Sequence, residues 1–165
     1  MIGKKIEHVF NEQIRHELDS AYLYLSMAAY FHSVNLDGFA RWMRVQVREE
    51  EAHGMKFFDH IRDRGGRVEL EALAKPETSW SSPLEAFRAA YGHEQFITGK
   101  INAIYKLAEK EGDLAAKVFL DWFVKEQVEE ESTASGIVQL LERIGDSGSG
   151  LVMLDKELGK RESKG

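Results

Sequence analysis

Apolar residues recur at intervals of three and four along almost the whole chain, which is the spacing of one face of an α-helix. Only 2 prolines occur in 165 residues, so long helices are favoured over short strands joined by frequent turns. The interruptions predict four long helices and a short one, over residues 4–33, 36–64, 83–111, 113–144 and 149–162. We therefore predict an all-α protein with a single domain over residues 1–165 and a helical bundle over about 4–144.

The connections between the predicted helices constrain how the helices pack. Asn35-Leu36-Asp37 and Glu111-Gly112-Asp113 are tight breaks with side chains able to cap the next helix, so the flanking helices should form antiparallel hairpins. Residues 65–82 form a longer link without helical spacing. A helix of about 28 residues is about 42 Å long, and about 18 extended residues reach about 60 Å. The link can therefore run the full length of the bundle, giving four helices with one long crossover.

The short predicted helix at 149–162 has an apolar face made by Leu151, Val152, Leu154 and Leu158. It is too short to be a fifth member of the bundle. It either caps the end of the bundle within the chain or contacts a neighbouring subunit, and the sequence pattern leaves both alternatives open.

The charge and the cysteine content exclude several classes of function. The chain carries 28 acidic and 22 basic side chains, and a net charge of -6 repels a phosphate backbone, so we expect no nucleic-acid partner. It has no cysteine, so any metal must be bound by oxygen and nitrogen ligands. We expect no membrane association and a cytoplasmic location, because the chain starts in a charged helical pattern and has no apolar run long enough to span a bilayer.

Each of the four predicted core faces is interrupted near its middle by a glutamate. The third helix, for example, has the predicted core face Leu84, Phe87, Tyr91, Glu94, Thr98, Ile101 and Tyr105. The corresponding acids in the other long helices are Glu17, Glu50 and Glu130. Because the midpoints of helices of similar length coincide in a bundle, we expect the four carboxylates to converge at one level of its interior.

Four buried carboxylates would be costly to bring together unless positive charge were present. Two divalent cations supply four positive charges, which balance the four carboxylates. Glu50-x-x-His53 adds an imidazole one helical turn from Glu50 on the same face. Carboxylate and imidazole ligands favour iron or manganese. The alternative is that the acids lie on solvated surfaces and bind no metal.

The sequence resembles the non-haem ferritins of bacteria and archaea over essentially its full length. The resemblance is carried by the segments Asn11-Glu12-Gln13 with Glu17, Ala21-Tyr22-Leu23-Tyr24-Leu25, Glu49-Glu50-Glu51-Ala52-His53, Tyr91-Gly92-His93-Glu94, Trp122 to Glu131, and Leu154-Asp155-Lys156-Glu157-Leu158. It implies a ferritin-like four-helix bundle, a short fifth helix and self-association into a hollow shell of 24 subunits.

The resemblance also implies roles for individual residues. Glu17, Glu50 and His53 match the ligands of the first iron of a ferroxidase centre, and Glu50, Glu94 and Glu130 match those of the second, with Glu50 bridging. Gln127 and the hydrogen-bonding tyrosine Tyr24 match positions beside the iron pair. A third iron site is matched by Glu49, Glu126 and Glu129, with Glu130 shared.

Haem is not expected, because Glu130 and Glu51 stand where bacterioferritins carry a second Glu-x-x-His motif and a haem-ligating methionine. The implied function is iron storage and detoxification: Fe(II) is oxidised by dioxygen or hydrogen peroxide at two iron ions per subunit and stored as a ferric mineral. Two alternatives remain open from the sequence. One is a rubrerythrin-like di-iron peroxidase, and the other is a non-catalytic helical assembly protein.

Overall fold

The computed structural model describes residues 1–164, and within that range it contains five α-helices and no strand. The helices are α1 (Lys4–Ser33), α2 (Asp37–Asp63), α3 (Pro83–Lys110), α4 (Leu114–Ile144) and α5 (Gly148–Leu158). The prediction of an all-α bundle with a short C-terminal helix is confirmed. None of these helices combines the length and the apolar character that crossing a membrane requires.

Helices α1 and α2 form one hairpin and α3 and α4 form the other. Asn35 adopts a left-handed conformation (φ 59°) in the first hairpin turn, and Gly112 does so (φ 67°) in the second. The Asp113 carboxylate caps α4 by accepting a hydrogen bond from the backbone N–H of Ala116 at 3.0 Å. Arg64, which follows α2, donates to both oxygens of Asp113 at 2.9 Å, so this cap also joins the ends of the two hairpins.

The crossover between α2 and α3 follows the outside of α1. The backbone N–H of Glu69 donates to Asn11 Oδ1 at 2.8 Å, and the N–H of Ala74 donates to Asp19 Oδ1 at 2.9 Å. Farther along, Ser26 Oγ donates to the carbonyl of Glu77 at 2.6 Å. Since the contacts advance along both segments together, the crossover runs parallel to α1 and returns the chain to the end of the bundle where α2 began.

The apolar core is divided into two clusters along the bundle axis. One cluster, toward the C-terminal end of α1, includes Met27, Phe31, Phe39, Met43 and Phe87. The other, toward the N-terminal end of α1, includes Ile6, Phe10, Phe57, Ile101 and Phe123. The layer between the clusters contains the buried polar residues Gln13, Glu17, Gln46, Glu50, His53, Glu94, Gln127 and Glu130. The sequence of α1 to α4 thus places its polar interruptions at one height.

The predicted core face of α3 is partly wrong. Ala90, Ile97 and Ile104 are buried, whereas Tyr91 and Tyr105 are only half-buried. The helix is therefore rotated so that isoleucine packs inward and the tyrosines lie at the edge of the core. Phenol hydroxyls favour this edge because a polar group is costly to bury without a partner.

Helix α5 caps the bundle within its own chain, packing against α2 and α4. Its buried residues Leu154 and Leu158 join the core cluster that contains Phe39. The predicted end at residue 162 is wrong, because the helix ends at Leu158. A turn at Gly159 instead directs the rest of the chain back over α2, where the side chain of Arg161 meets Glu49.

Candidate metal centre

The structure brings the four predicted central carboxylates together in the polar layer. Glu17, Glu50, Glu94 and Glu130 are between 1% and 4% exposed, although an isolated carboxylate at such a depth would be strongly destabilising. In each of two sets of residues, the potential ligand atoms all lie within 4.8 Å of one another. One set is Glu17, Glu50 and His53, and the other is Glu50, Glu94 and Glu130. Glu50 belongs to both sets, which makes it the geometric bridge between two adjoining positions for a cation.

Two buried glutamines hold these carboxylates in place. Gln13 Nε2 donates to Glu17 Oε1 at 2.8 Å. Gln46 Nε2 donates to Glu50 Oε1 and to Glu130 Oε2, both at 2.8 Å, and so connects α2 to α4 across the centre. We did not predict a role for either glutamine from the sequence. The signal was present in Gln13-x-x-x-Glu17 and Gln46-x-x-x-Glu50, because residues four apart share a helix face.

Gln127 and Tyr24 both contact Glu94. Gln127 Nε2 donates to Glu94 Oε2 at 3.2 Å and to Thr98 Oγ1 at 3.2 Å. The Tyr24 hydroxyl donates to Glu94 Oε1. Burial and the nearby negative charge of Glu94 raise the pKa of Tyr24 well above its ordinary value, so the phenol remains a proton donor at neutral pH.

The acids of the centre differ in how readily they ionise. Burial, reinforced by the charge of Glu50, raises the pKa of Glu17 to about 8, that of Glu130 to about 7 and that of Glu94 well above its ordinary value. Burial also acts to raise the pKa of Glu50, but the hydrogen bond and charge of His53 outweigh burial and lower it. Burial acts to lower the pKa of His53, but its contact with Glu50 raises it to about 9. A cation that binds here must therefore displace protons.

The residues present fit a pair of cations. Glu17 Oε2 and Glu130 Oε1 are buried carboxylate oxygens without a hydrogen-bond donor in the described chain. Each belongs to a residue of one of the two ligand sets, and carboxylate oxygens with one imidazole form a donor set suited to iron. His53 is further enclosed by the rings of Trp122 and Phe123, at centroid distances of 5.3 and 6.0 Å, which restrict its orientation.

The three acids predicted to form a third site lie beside this centre, on the side to which residues 159–164, the C-terminal tail, return after α5. Glu49 and Glu126 are buried and Glu129 is exposed. Glu126 Oε1 lies 4.0 Å from His53 Nε2, and His53, Glu126 and Glu130 form another set of potential ligands within 4.8 Å. Two basic side chains of the tail, Arg161 and Lys164, pair with these acids. We did not predict those pairs from the sequence, because no local spacing relates residues that lie 35 to 112 positions apart.

A bundle with this crossover, a short fifth helix and a buried carboxylate–histidine layer defines the class of ferritin-like helical proteins. Residues 8–144 match the model of the ferritin-like domain, and the chain belongs to the ferritin family. It is thus a member of a family of iron-storage proteins.

Individual relatives agree with this assignment over nearly the full chain. The chain is 41% identical over 161 residues to the bacterial non-heme ferritin of Bacteroides fragilis (strain 638R), covering 98% of this chain and 100% of the relative. It is 38% identical to that of Staphylococcus aureus (strain COL), covering 98% and 97%. The open pore ferritin from the hyperthermophilic archaeon Archaeoglobus fulgidus has a similar structure, with a TM-score of 0.97, 49% identity and coverage of 98% and 100%.

Proposed function

We propose that this protein oxidises Fe(II) at an intra-subunit di-iron centre and stores the Fe(III) as a mineral inside a shell built from 24 copies of the chain. The observation that carries the proposal is the buried layer in which two overlapping sets of ligands share Glu50. Family membership supports iron as the metal.

In this proposal the ligands divide between two iron ions. Glu17 and His53 hold the first, Glu94 and Glu130 hold the second, and Glu50 bridges them. Such a donor set is mostly anionic, and it favours Fe(III) over Fe(II), so it assists the loss of an electron from each bound ion. Each pair of Fe(II) ions gives two electrons to one dioxygen, which with two protons becomes hydrogen peroxide, or to one hydrogen peroxide, which with two protons becomes two waters.

The remaining predicted residues act around the pair. Gln127 and Tyr24 orient Glu94, and Tyr24 lies close enough to the centre to supply a further electron. Glu49, Glu126 and Glu129, with Glu130 shared, receive a third iron ion on its way out of the centre. Hydrolysis of the departing Fe(III) yields a ferric oxyhydroxide mineral and releases protons.

The test is to add Fe(II) in air to the purified full-length protein and follow oxygen consumption, then to separate the products by size exclusion with detection of protein and ferric absorbance. We expect rapid oxygen uptake and co-elution of ferric absorbance with a particle of about 450 kDa, the mass of 24 chains of 18.8 kDa. Glu50→Ala and His53→Ala should slow the initial oxidation by at least about tenfold. Glu51→Ala, at the exposed neighbouring position, is the matched control.

The two alternative functions give different results in the same experiment. A non-catalytic assembly protein would show no rapid oxygen uptake and no response to Glu50→Ala. A rubrerythrin-like peroxidase would consume peroxide repeatedly in the presence of a reductant without accumulating mineral. Either result would overturn the proposal.

A further inference from the structure

The C-terminal tail, residues 159–164, folds back from α5 onto the acidic residues beside the di-iron centre. Its direction is fixed at its start, where Leu158 is buried and a Cβ placed on Gly159 would lie 3.2 Å from Gly38 Cα. The neighbouring Asp155 Oδ1 accepts a hydrogen bond from the Phe39 N–H at 3.0 Å. The tail therefore leaves α5 from a site that is anchored to the first turn of α2.

Arg161 is the fixed point of the tail. Its Nη2 donates to Glu49 Oε2 at 2.6 Å, and its guanidinium lies 4.2 Å from the ring centroid of Trp42. The side chains of Arg161 and Glu49 are 17% and 7% exposed, so this ion pair is largely shielded from solvent. Breaking it would leave Glu49 buried and without its charged partner, which is strongly unfavourable.

Lys164 is the more exposed of the two basic side chains that the tail places on these acids. Its Nζ lies 2.8 Å from Glu126 Oε1 and 2.9 Å from Glu129 Oε1, and its backbone N–H donates to Glu49 Oε1 at 3.4 Å. One ammonium group thus bridges two carboxylates, while its own side chain is 46% exposed. Solvent reaches this ammonium group, whereas the Arg161–Glu49 pair is largely shielded, so Lys164 is the tail contact that a competing cation can displace more readily.

The bridging ammonium uses an oxygen that also faces the di-iron centre. Glu126 Oε1 lies 2.8 Å from Lys164 Nζ on one side and 4.0 Å from His53 Nε2 on the other. A third cation in the proposed site would use Glu126 and Glu129 as ligands, and these are the two carboxylates that Lys164 bridges. Lys164 and such a cation therefore compete for the same carboxylates.

We propose that Lys164 is a built-in, displaceable counter-ion of the third metal position, and that a third cation binds only by releasing Lys164 while Arg161 keeps the tail attached. The inference rests on the proposed function, because it concerns ions that leave the di-iron centre. The tail then sets how readily an ion moves from the centre to the acids beside it. Displaced Lys164 remains within reach and re-forms its bridge when the ion has departed.

The experiment uses Zn(II), which is redox-inactive and accepts oxygen and nitrogen ligands, with the full-length metal-free protein. Isothermal titration measures the number of bound ions and the affinity of each for the wild type, Lys164→Met and Lys164→Arg. Lys160→Met is the matched control, because Lys160 pairs with Glu157 at 2.7 Å, an exposed pair on the same segment. We expect the first two ions to bind alike in all four proteins. The third ion should bind about tenfold more tightly to Lys164→Met than to the wild type, Lys164→Arg or Lys160→Met.

Two further measurements distinguish competition from a general effect of charge. In Lys164→Met combined with Glu126→Gln, the gain in affinity should disappear. In the wild type, acetylation of Lys164 measured by peptide mass spectrometry should become faster between two and three equivalents of Zn(II), with Lys160 as an internal reference whose labelling does not change.

An unchanged third affinity in Lys164→Met, or equal labelling of Lys164 with two and three ions bound, would overturn the role of the tail and leave the di-iron proposal intact. Failure of the first two ions to bind the wild type would overturn the proposed function, and the role of the tail with it.

Discussion

Glu17 and Glu94 hold protons that cations must replace, because burial raises the pKa of both carboxyl groups. Glu17 has a pKa of about 8 in the folded chain against an ordinary value of 4.5. A group with a raised folded pKa binds more protons in the folded than in the unfolded state between those two values. The free energy of unfolding of the metal-free protein should therefore decrease as pH rises from about 4.5 to about 8.

Glu17→Gln removes this ionisation and keeps an acceptor for Gln13. We expect the substitution to stabilise the metal-free protein by about 1–3 kcal/mol near pH 8 and by much less near pH 5. The measurement is urea unfolding at both pH values in the presence of a chelator. Exposed Glu51→Gln, which should change little at either pH, is the control. Equal effects of Glu17→Gln at the two pH values would contradict the assigned pKa shift.

Gln46 provides a separate prediction, because its amide joins Glu50 to Glu130. Gln46→Leu removes the donor from two buried carboxylate oxygens and frees the bridging glutamate to rotate. Substitution of a residue that orients metal ligands typically lowers metal affinity by about 10–100-fold, and we expect a decrease in that range. Zn(II) titration measures it, with exposed Gln139→Leu as the control. Wild-type affinity in Gln46→Leu would show that the amide does not position the ligands.

The convergence of the four glutamates could be predicted from the sequence because it depends only on helix periodicity and on where each helix begins and ends. The roles of Gln13 and Gln46 were not assigned from the sequence. Each lies four residues before a central glutamate on the same helix face, but spacing alone does not show which acceptors a glutamine amide meets, such as Glu130 on another helix. For α3, apolar and aromatic residues lie on adjacent faces. The choice between Tyr91 and Ala90 as the inward residue depends on how closely α1 and α4 approach, which the sequence of one helix does not contain.

The docking of α5 depends on a close approach of two backbones. A Cβ at Gly38 would lie 1.7 Å from the carbonyl oxygen of Asp155, so the first turn of α2 meets α5 without space for a side chain. This contact places Leu154 and Leu158 in the core and starts the tail in its observed direction. A glycine at position 38 is therefore required by packing, although its backbone conformation is ordinary for a helix.

Gly38→Ala should push α5 away from α2 and destabilise the protein by about 2–4 kcal/mol, the loss expected from exposing part of two leucine side chains. Gly136→Ala is the contrasting variant, because a Cβ there meets nothing within 4 Å. Alanine in place of an exposed helical glycine should stabilise by about 0.5–1 kcal/mol. Urea unfolding measures the change in the free energy of unfolding of each variant. Changes of the same sign in Gly38→Ala and Gly136→Ala would disprove the close contact.

Self-association is expected from the apolar surface that the bundle leaves open. Tyr22 and Leu25 are 46% and 48% exposed on α1, between Asp19 and Ser26, two of the residues that hold the crossover against α1. In the crossover itself, Leu70 and Leu73 are 67% and 42% exposed. Exposed tyrosine and leucine side chains on α1 and on the crossover beside it offer apolar contacts, so we expect a second copy of the chain to pack against this surface.

Leu25→Glu places a charge in this surface and should reduce the particle to smaller species in light scattering, because an unpaired charge in an interface is costly to desolvate. Gln95→Glu, at an exposed polar position of α3, adds the same charge and should leave the assembly unchanged. The smaller species of Leu25→Glu should still oxidise Fe(II), since all proposed ligands belong to one chain, but should not retain a soluble mineral. A full-sized particle from Leu25→Glu would exclude this surface from the assembly.

The division of the candidate ligands between the two hairpins has a consequence for when iron chemistry can begin. The first hairpin carries Glu17, Glu50 and His53, and the second carries Glu94 and Glu130. Under the proposed function, neither hairpin alone would hold two ions side by side, so a nascent or damaged chain would be unable to start the proposed oxidation. A subunit would then become reactive only once its two hairpins have packed together, and a bound pair of ions would in turn stabilise the packed state.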